Sequence, residues 1–154
     1  MKLVSLKNNL KNIIMQAERF TGKNINLPIL GNVLIESKGK KCSISATNLE
    51  MAMEANFPCK ASQEGVITVP ARILSTVIQT IPEENVTLEE KNNILSIHSE
   101  NSKITINGNP SKDFPLIPKI KGGKKFNLSF LSLVDGLKSV IPAVSRSDLK
   151  PEIS

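Results

Sequence analysis

Leu10-Lys-Asn-Ile-Ile14, at the centre of the first helical stretch, returns late in the chain as Leu137-Lys-Ser-Val-Ile141. The two copies are 127 positions apart, which is the length of a domain and too long for a solenoid period. The sequence therefore predicts one whole domain followed by the opening part of a second. The Pro-, Gly- and Lys-containing stretch before the second copy ends in Lys121-Gly-Gly-Lys-Lys125, which is typical of a domain boundary.

The first copy lies in an amphipathic helix over residues 6–20, where apolar side chains recur every three or four positions. The opposite face carries Lys7, Lys11 and Arg19 among amides, and Glu18 is its only acid. This face is therefore polar, basic and almost free of carboxylates.

Two further helices are predicted. One begins at Pro70, because proline is favoured in the first turn, and its outer face, with Arg72 and hydroxyl and amide groups, contains no acid. The other follows Ser129, ends at Pro142 and contains the second copy of the repeat.

Alternating or short apolar runs between turn signals predict strands. They cover residues 29–37, 41–47, 49–59, 66–69, 86–90, 94–99 and 103–107, and another strand restarts at 126–128. The predicted fold class is α+β, pseudo-duplicated as β-α-β-β-β, with both helices on one face of curved antiparallel sheets.

Composition places the chain among ordinary globular proteins, with 40% hydrophobic and 22% charged residues. No long apolar run occurs near Met1, so neither a signal peptide nor a membrane span is predicted, and the expected location is the cytoplasm. Cys42 and Cys59 fit no metal-ligand spacing, and we expect two reduced, structural thiols.

The net charge of +6 favours an anionic partner, and its distribution is uneven. Residues 1–24 carry five basic groups and one acid, and residues 110–154 carry eight basic groups and four acids. The strand-rich middle, residues 25–109, is slightly acidic, with seven basic and nine acidic groups. The positive charge thus follows the two copies of the repeated helix and loop.

No motif predicts catalysis, a metal or a cofactor. The single histidine, His98, lies in an alternating strand without a partner for acid–base chemistry. Paired acids such as Glu89 and Glu90 could be imagined as a catalytic carboxylate pair, but their strand setting favours a solvated face. We therefore expect a protein that is not an enzyme.

The basic, amide and hydroxyl side chains on the two helices predict a surface that binds phosphate groups. Duplex backbone is bound without sequence readout through Lys and Arg, supplemented by amide and hydroxyl side chains, and both helices display this mixture. The chain has no Trp or Tyr, which argues against a platform that stacks single-stranded bases. Double-stranded DNA, bound through phosphate contacts, is the predicted partner.

Several short runs together resemble one known family, the bacterial DNA polymerase III beta subunits, or DNA sliding clamps. These runs are Leu27-Pro-Ile-Leu-Gly-Asn32, Ala46-Thr-Asn-Leu-Glu-Met51, Val69-Pro-Ala-Arg72, Asp113-Phe-Pro115 and Val144-Ser-Arg-Ser-Asp148. Each run alone is a weak signal, but their order and spacing across nearly the whole chain are specific.

The resemblance implies a ring of two three-domain protomers around duplex DNA, which tethers the replicative polymerase as a processivity factor. It places the DNA-contacting loop of the first domain at Lys23 and Asn24, although an arginine often stands at the latter position. The corresponding loop of the second domain falls at Arg146 and Ser147. Helix geometry adds Lys7, Lys11 and Arg72 as DNA-binding residues.

The resemblance also implies domain limits and partners. Residues 1–120 correspond to the clamp N-terminal domain, 121–125 to a linker and 126–154 to a truncated start of the second domain. Clamps bind the polymerase, the clamp loader and repair factors through a pocket that these residues are expected to lack. The apolar stripe of the third helix would have no sheet to complete, so we expect it to be exposed or repacked.

Two other functions are open from sequence. The chain could be a stand-alone interaction module that caps or regulates a full-length clamp, which exchange into such a clamp would reveal. It could also be an enzyme that uses Glu89 or Glu90, and single Gln substitutions would then abolish turnover.

Overall fold

The computed structural model describes residues 1–22, 26–39, 41–118, 122–124 and 126–144. The chain divides into two compact units, Met1–Ile117 and Pro118–Ser154. Among the described residues, no helix is long and apolar enough to cross a membrane.

The first unit contains two copies of β-α-β-β-β with one additional strand, β5, between them. The first copy comprises β1 Lys2–Leu6, α1 Lys7–Glu18, β2 Asn32–Lys38, β3 Lys41–Thr47 and β4 Ala52–Phe57, and β5 spans Lys60–Gln63. The second copy comprises β6 Gly65–Pro70, α2 Ala71–Thr80, β7 Asn85–Lys91, β8 Ile94–His98 and β9 Lys103–Asn107. The predicted α+β duplication is confirmed.

The two copies exchange their first strands. One antiparallel sheet has the order β5-β1-β7-β8-β9, and the other has the order β4-β3-β2-β6. Strand β1 pairs along β7, with Val4 opposite Thr87, and β6 pairs along β2, with Ile67 opposite Ile35. Each copy therefore completes the sheet of the other, and neither copy has its full sheet alone.

Both helices pack against each other and against the sheets, α1 on β1, β3 and β4 and α2 on β2, β6 and β9. Leu10 and Ile14 of α1, and Leu74 and Ile78 of α2, are fully buried. Full burial of an aliphatic side chain of this size contributes about 1.5–3 kcal/mol. The apolar stripes predicted from the sequence are thus the sides by which the helices join the core.

Two predicted strands are shorter in the structure than the sequence suggested. Residues Pro28–Gly31 form a short 3-10 turn, so β2 begins later than the predicted position 29. The strand predicted over residues 49–59 is shorter at both ends, because β4 covers only Ala52–Phe57. Near its start the Asn48 side chain accepts hydrogen bonds from the backbone N–H groups of Glu50 and Met51, and near its end the chain leaves the sheet at Pro58.

The expectation of two reduced thiols is wrong for this structure, because Cys42 and Cys59 form a disulfide with a Cα–Cα distance of 6.4 Å. Strand pairing places Cys42 of β3 opposite Phe57, the last residue of β4. The chain then crosses from one sheet to the other at Pro58, which brings Cys59 back beside Cys42. This proximity depends on strand register and is invisible in the spacing of the two cysteines.

In the second unit, α3 spans Phe130–Val140. None of its residues is buried, and its apolar stripe of Phe130, Leu133 and Leu137 is exposed, which is one of the two outcomes expected for it. The strand predicted at residues 126–128 is absent from this described segment.

Candidate nucleic-acid interface

The polar sides of α1 and α2 lie next to each other, with the start of α1 beside the end of α2. Lys7 marks this junction, because its half-buried side chain donates a hydrogen bond from Nζ to the backbone carbonyl of Ile81, at 2.9 Å. Ile81 caps the C-terminus of α2, where a positive charge is favoured by the helix dipole. The structure thus gives Lys7 a positioning role that the sequence did not predict.

Lys11 and Arg72 differ in burial. Lys11 is half-buried on α1, and Arg72 is exposed in the first turn of α2. Within the described residues, ion pairs join Lys2 to Glu89 and the amino terminus to Glu90, at 3.4 and 3.2 Å. No ion pair or side-chain hydrogen bond in this described part of the chain engages the side chains of Lys11 or Arg72. Their charges are therefore available to an external anion.

A groove of about 350 Å³ runs between the two helices and adds a cation that the site prediction omitted. Met15, Glu18, Arg19, Ser75 and Gln79 line it, and Gln79 Nε2 donates a hydrogen bond to Ser75 Oγ at 3.1 Å. Arg19 is exposed at its edge. Periodicity already placed Arg19 on the same polar face as Lys11, so the signal for this residue was present in the sequence.

The surface formed by the two helices contains one negatively charged side chain among its cations. Glu18 is the only acid in the two helices, and neither helix has an acid in its first turn. Amide and hydroxyl groups, such as Gln16 and Thr76, fill most of the remaining exposed positions, which also include the apolar Met15 and Ile73. Cations dispersed among neutral donors are suited to contact a phosphate backbone without reading bases.

Four of the predicted DNA-binding residues, Lys23, Asn24, Arg146 and Ser147, lie outside the described residues. The structure fixes the approach to the first of these loops, because the Gly22 N–H donates to the Leu30 carbonyl at 2.8 Å. The described residues before and after this loop are thus held together at Gly22 and Leu30.

The acids considered for catalysis have structural partners. Glu89 and Glu90 form the two ion pairs on the first sheet, and the described residues contain no cluster of three or more potential metal ligands. These contacts support a structural interpretation of both carboxylates.

Glu83 follows α2, and the pKa of its carboxyl group lies below its ordinary value of 4.5. The largest cause is its own backbone N–H, with Ser99 and Asn101 adding to the effect and burial opposing it. Its buried oxygens reach no partner at full hydrogen-bond geometry, so we attribute the shift to nearby N–H and O–H dipoles. The carboxylate lies beside the turn between β8 and β9, which contains Ser99 and Asn101.

Together these features define a class of protein: an α+β domain of two antiparallel sheets whose paired helices present a free, cationic, acid-poor surface. A sequence profile of the DNA polymerase III beta subunit, N-terminal domain, matches residues 1–118. The chain belongs to this family, which confirms the resemblance found in the sequence.

Relatives and solved structures agree with this assignment. The chain is 28% identical to the beta sliding clamp of Synechocystis sp. and 27% identical to that of Chlamydia muridarum, over 97% and 96% of its length. It spans 41% of the length of each of these relatives. The fold matches Caulobacter crescentus pol III beta with a TM-score of 0.91 at 23% identity, covering 99% of this chain and 42% of that one.

The same fold is found in the DNA polymerase III subunit beta from Pseudomonas aeruginosa, with a TM-score of 0.89 at 22% identity over 99% of this chain and 42% of that one. The predicted DNA-clamp-like fold class is therefore confirmed.

Proposed function

We propose that this chain supplies the first domain, and the opening of the second, of a DNA sliding clamp that acts as a processivity factor in replication. The observation that carries this proposal is the pair of helices α1 and α2. In a fold shared with clamps, their polar side presents Lys11, Arg19 and Arg72, whose side chains form no ion pair or hydrogen bond with any other described residue. The proposed role is non-catalytic, and its place is the cytoplasm.

The mechanism follows from the weakness of each phosphate contact. A few Lys and Arg contacts release few counterions, so an open domain should bind duplex DNA with a dissociation constant on the order of 10⁻⁴–10⁻⁶ M. Such contacts carry no sequence information, which permits movement along the duplex. A closed ring then converts weak contacts into persistent attachment, because the protein cannot leave DNA sideways.

Within this proposal the cations have different tasks. Lys11, Arg19 and Arg72 contact phosphates from the helices, and Lys7 holds the end of α2 in place. The loop residues Lys23 and Asn24 extend the contact beyond α1. By the family resemblance, Arg146 and Ser147 do the same in the second domain.

We further propose the limits 1–120 for the first domain, 121–125 for the linker and 126–154 for the start of the second. A Helicobacter pylori beta clamp has been solved bound to a DNA ligase peptide. The chain spans 41% of its relatives, so we assign ring closure and the capture of such partner peptides to the complete family architecture.

The test is a fluorescence-anisotropy titration of labelled duplex DNA at low salt. The variant Lys11→Ala/Arg72→Ala removes two free cations from the helices. Its control, Lys91→Ala/Lys103→Ala, removes the same charge from exposed positions on β7 and β9. We expect the helix variant to bind several-fold more weakly and the control to bind as the wild type does; equal losses would refute a localised interface.

A further inference from the structure

We propose that the Cys42–Cys59 pair is a thiol–disulfide exchange site, opened at Cys59 by a dithiol reductant, and that its state controls how firmly strand β5 is held. The two sulfurs connect different parts of the first unit. Cys42 lies in β3 and is 1% exposed, whereas Cys59 lies in the Pro58-Cys59 link between β4 and β5. The bond therefore ties the crossover between the sheets to the interior of one sheet.

Few other contacts hold β5. It is the outermost described strand of its sheet, and among the described strands it pairs only with β1, through three residue pairs that include a register shift between Lys2 and Leu3. Two side chains add hydrogen bonds: Ser5 Oγ donates to the Pro58 carbonyl at 2.7 Å, and Ser62 Oγ donates to the Lys2 carbonyl at 3.3 Å. An edge strand held this lightly depends strongly on a covalent tether beside it.

The two sulfurs are unequally accessible. Cys59 is half-buried and lines a surface cavity of about 400 Å³, together with Leu6, Asn9 and Lys60. Cys42 is enclosed in the core, with Ser37 Oγ 3.9 Å from its sulfur. An incoming thiolate can therefore reach Cys59 but not Cys42, and the neighbouring Lys60 ammonium favours the approach of that negative charge.

The exchange balances without any other reactant. A thiolate of the dithiol attacks Cys59 Sγ, the Cys42–Cys59 bond breaks, and Cys42 leaves as a thiolate that takes up a proton. The second thiol of the reductant, as a thiolate, then attacks the mixed disulfide and releases Cys59 as a thiolate, which is protonated in turn. Two cysteines are reduced and one dithiol is oxidised to its disulfide.

Opening the bond leaves Cys42 buried beside the Ser37 hydroxyl and removes the tether from the crossover. Strand β5 then depends on its irregular pairing with β1 and on the two serine hydrogen bonds. We expect local opening of residues 58–63, while β2 and β3 keep their central positions. In a reducing cytoplasm a disulfide of this kind is transient or regulatory, which agrees with a switch.

The first test counts thiols in the whole chain, trapped with an alkylating agent at lysis and again after exposure to dithiothreitol. Hydrogen exchange with mass spectrometry then compares the oxidised and reduced forms. We expect reduction to increase exchange in residues 60–63 on the order of tenfold to a hundredfold, with β2 and β3 unchanged. Glutathione disulfide added to the reduced protein should modify Cys59 and spare Cys42.

Two variants distinguish control of β5 by the disulfide from a general loss of stability. Cys59→Ser should show the fast exchange of the reduced form in both the presence and the absence of dithiothreitol. Ser5→Ala, which removes only the hydrogen bond to Pro58, should raise exchange moderately and remain sensitive to reduction. Free thiols at lysis that do not pair under mild oxidation would overturn the proposal, and so would equal exchange of residues 60–63 in both redox states.

Discussion

Gly108 follows β9 at a point where the two sheets approach each other closely. A Cβ atom there would lie 2.6 Å from the Thr68 carbonyl oxygen and 2.8 Å from a methyl carbon of Ile67. The next residue, Asn109, exchanges two backbone hydrogen bonds with Thr68, at 2.9 and 3.3 Å. The close approach thus belongs to a bridge between the sheets.

We predict that Gly108→Ala destabilises the first unit by about 1–3 kcal/mol, because backbone must move to accommodate the methyl group. Urea denaturation monitored by circular dichroism measures the change. Gly31→Ala is the control, since its Cβ would meet only the Gly22 carbonyl oxygen at an ordinary 3.7 Å, and should change stability by less than about 0.5 kcal/mol. Equal effects of the two substitutions would contradict the close approach.

Glu83 gives a prediction with a defined sign. Because folding lowers the pKa of its carboxyl group, its contribution to stability is complete above the pKa of the unfolded chain. That contribution is lost as the pH falls through the lower pKa of the folded state. Glu83→Gln should therefore lower the midpoint of thermal unfolding at pH 7 and reduce its fall between pH 5 and pH 3.

Glu84→Gln, which removes one carboxylate from the adjacent exposed position, is the matched control for Glu83→Gln. Carboxyl titration by nuclear magnetic resonance would locate the shift directly. A pKa of Glu83 at or above 4.5 in the folded protein would refute the assignment.

Single residues also show where sequence reasoning stops. Lys7, Lys11 and Arg72 were predicted as phosphate contacts from their helix faces, and those faces did not reveal that Lys7 Nζ donates to the carbonyl of Ile81, 74 positions along the chain. The pairing of Cys42 with Cys59 likewise depends on strand register and the turn at Pro58. Periodicity identifies which face a residue occupies, but it does not show what lies across from that face.

At the level of elements, α1 and α2 were predictable because each has a continuous apolar stripe with a polar opposite side. Strand limits were less predictable, since the interruption at Asn48 depends on its side chain capping a local turn. Strand exchange between the two copies was not predictable from the sequence, because a repeated motif does not determine which sheet its first strand joins. Strand β5 was missed because its residues are mostly exposed and lack alternation.

The two lysines of α1 should respond differently to truncation. Lys7→Ala removes the contact with the Ile81 carbonyl and a charge at the helix C-terminus, so we expect a loss of about 0.3–1 kcal/mol in unfolding free energy. Lys11→Ala should leave stability nearly unchanged and weaken DNA binding more. Thermal unfolding and DNA titration on the same samples test both statements, and a reversal of the two effects would contradict the assigned roles.

Helix α3 predicts a property of the chain in solution. Its exposed stripe of Phe130, Leu133 and Leu137 continues into Ile141, just beyond the end of the helix, and the four exposures are 75, 47, 49 and 62%. A contiguous apolar surface promotes association, so we expect the sedimentation coefficient to rise with protein concentration. Leu133→Glu/Leu137→Glu should suppress this rise, and Ser132→Glu/Ser139→Glu should not; a wild-type chain that stays monomeric at all concentrations would contradict the prediction.

For the whole first unit, the exchange of β1 and β6 links the two copies into one cooperative structure. The helices lie where the copies meet, so the polar surface they share requires both. The sequence predicted this surface from charge and periodicity, whereas the structure shows which cations are free and which one supports the helix pair. Within the described part of the chain, the free cations are Lys11, Arg19 and Arg72.

The salt dependence of duplex-DNA binding tests the central claim most directly. The logarithm of the association constant should fall linearly with the logarithm of salt concentration. Lys11→Ala/Arg72→Ala should reduce the magnitude of that slope by about 2, because each phosphate contact contributes about 0.9. Lys91→Ala/Lys103→Ala should retain the wild-type slope. Identical slopes for the wild type and both variants would show that the free cations of α1 and α2 do not contact the phosphate backbone.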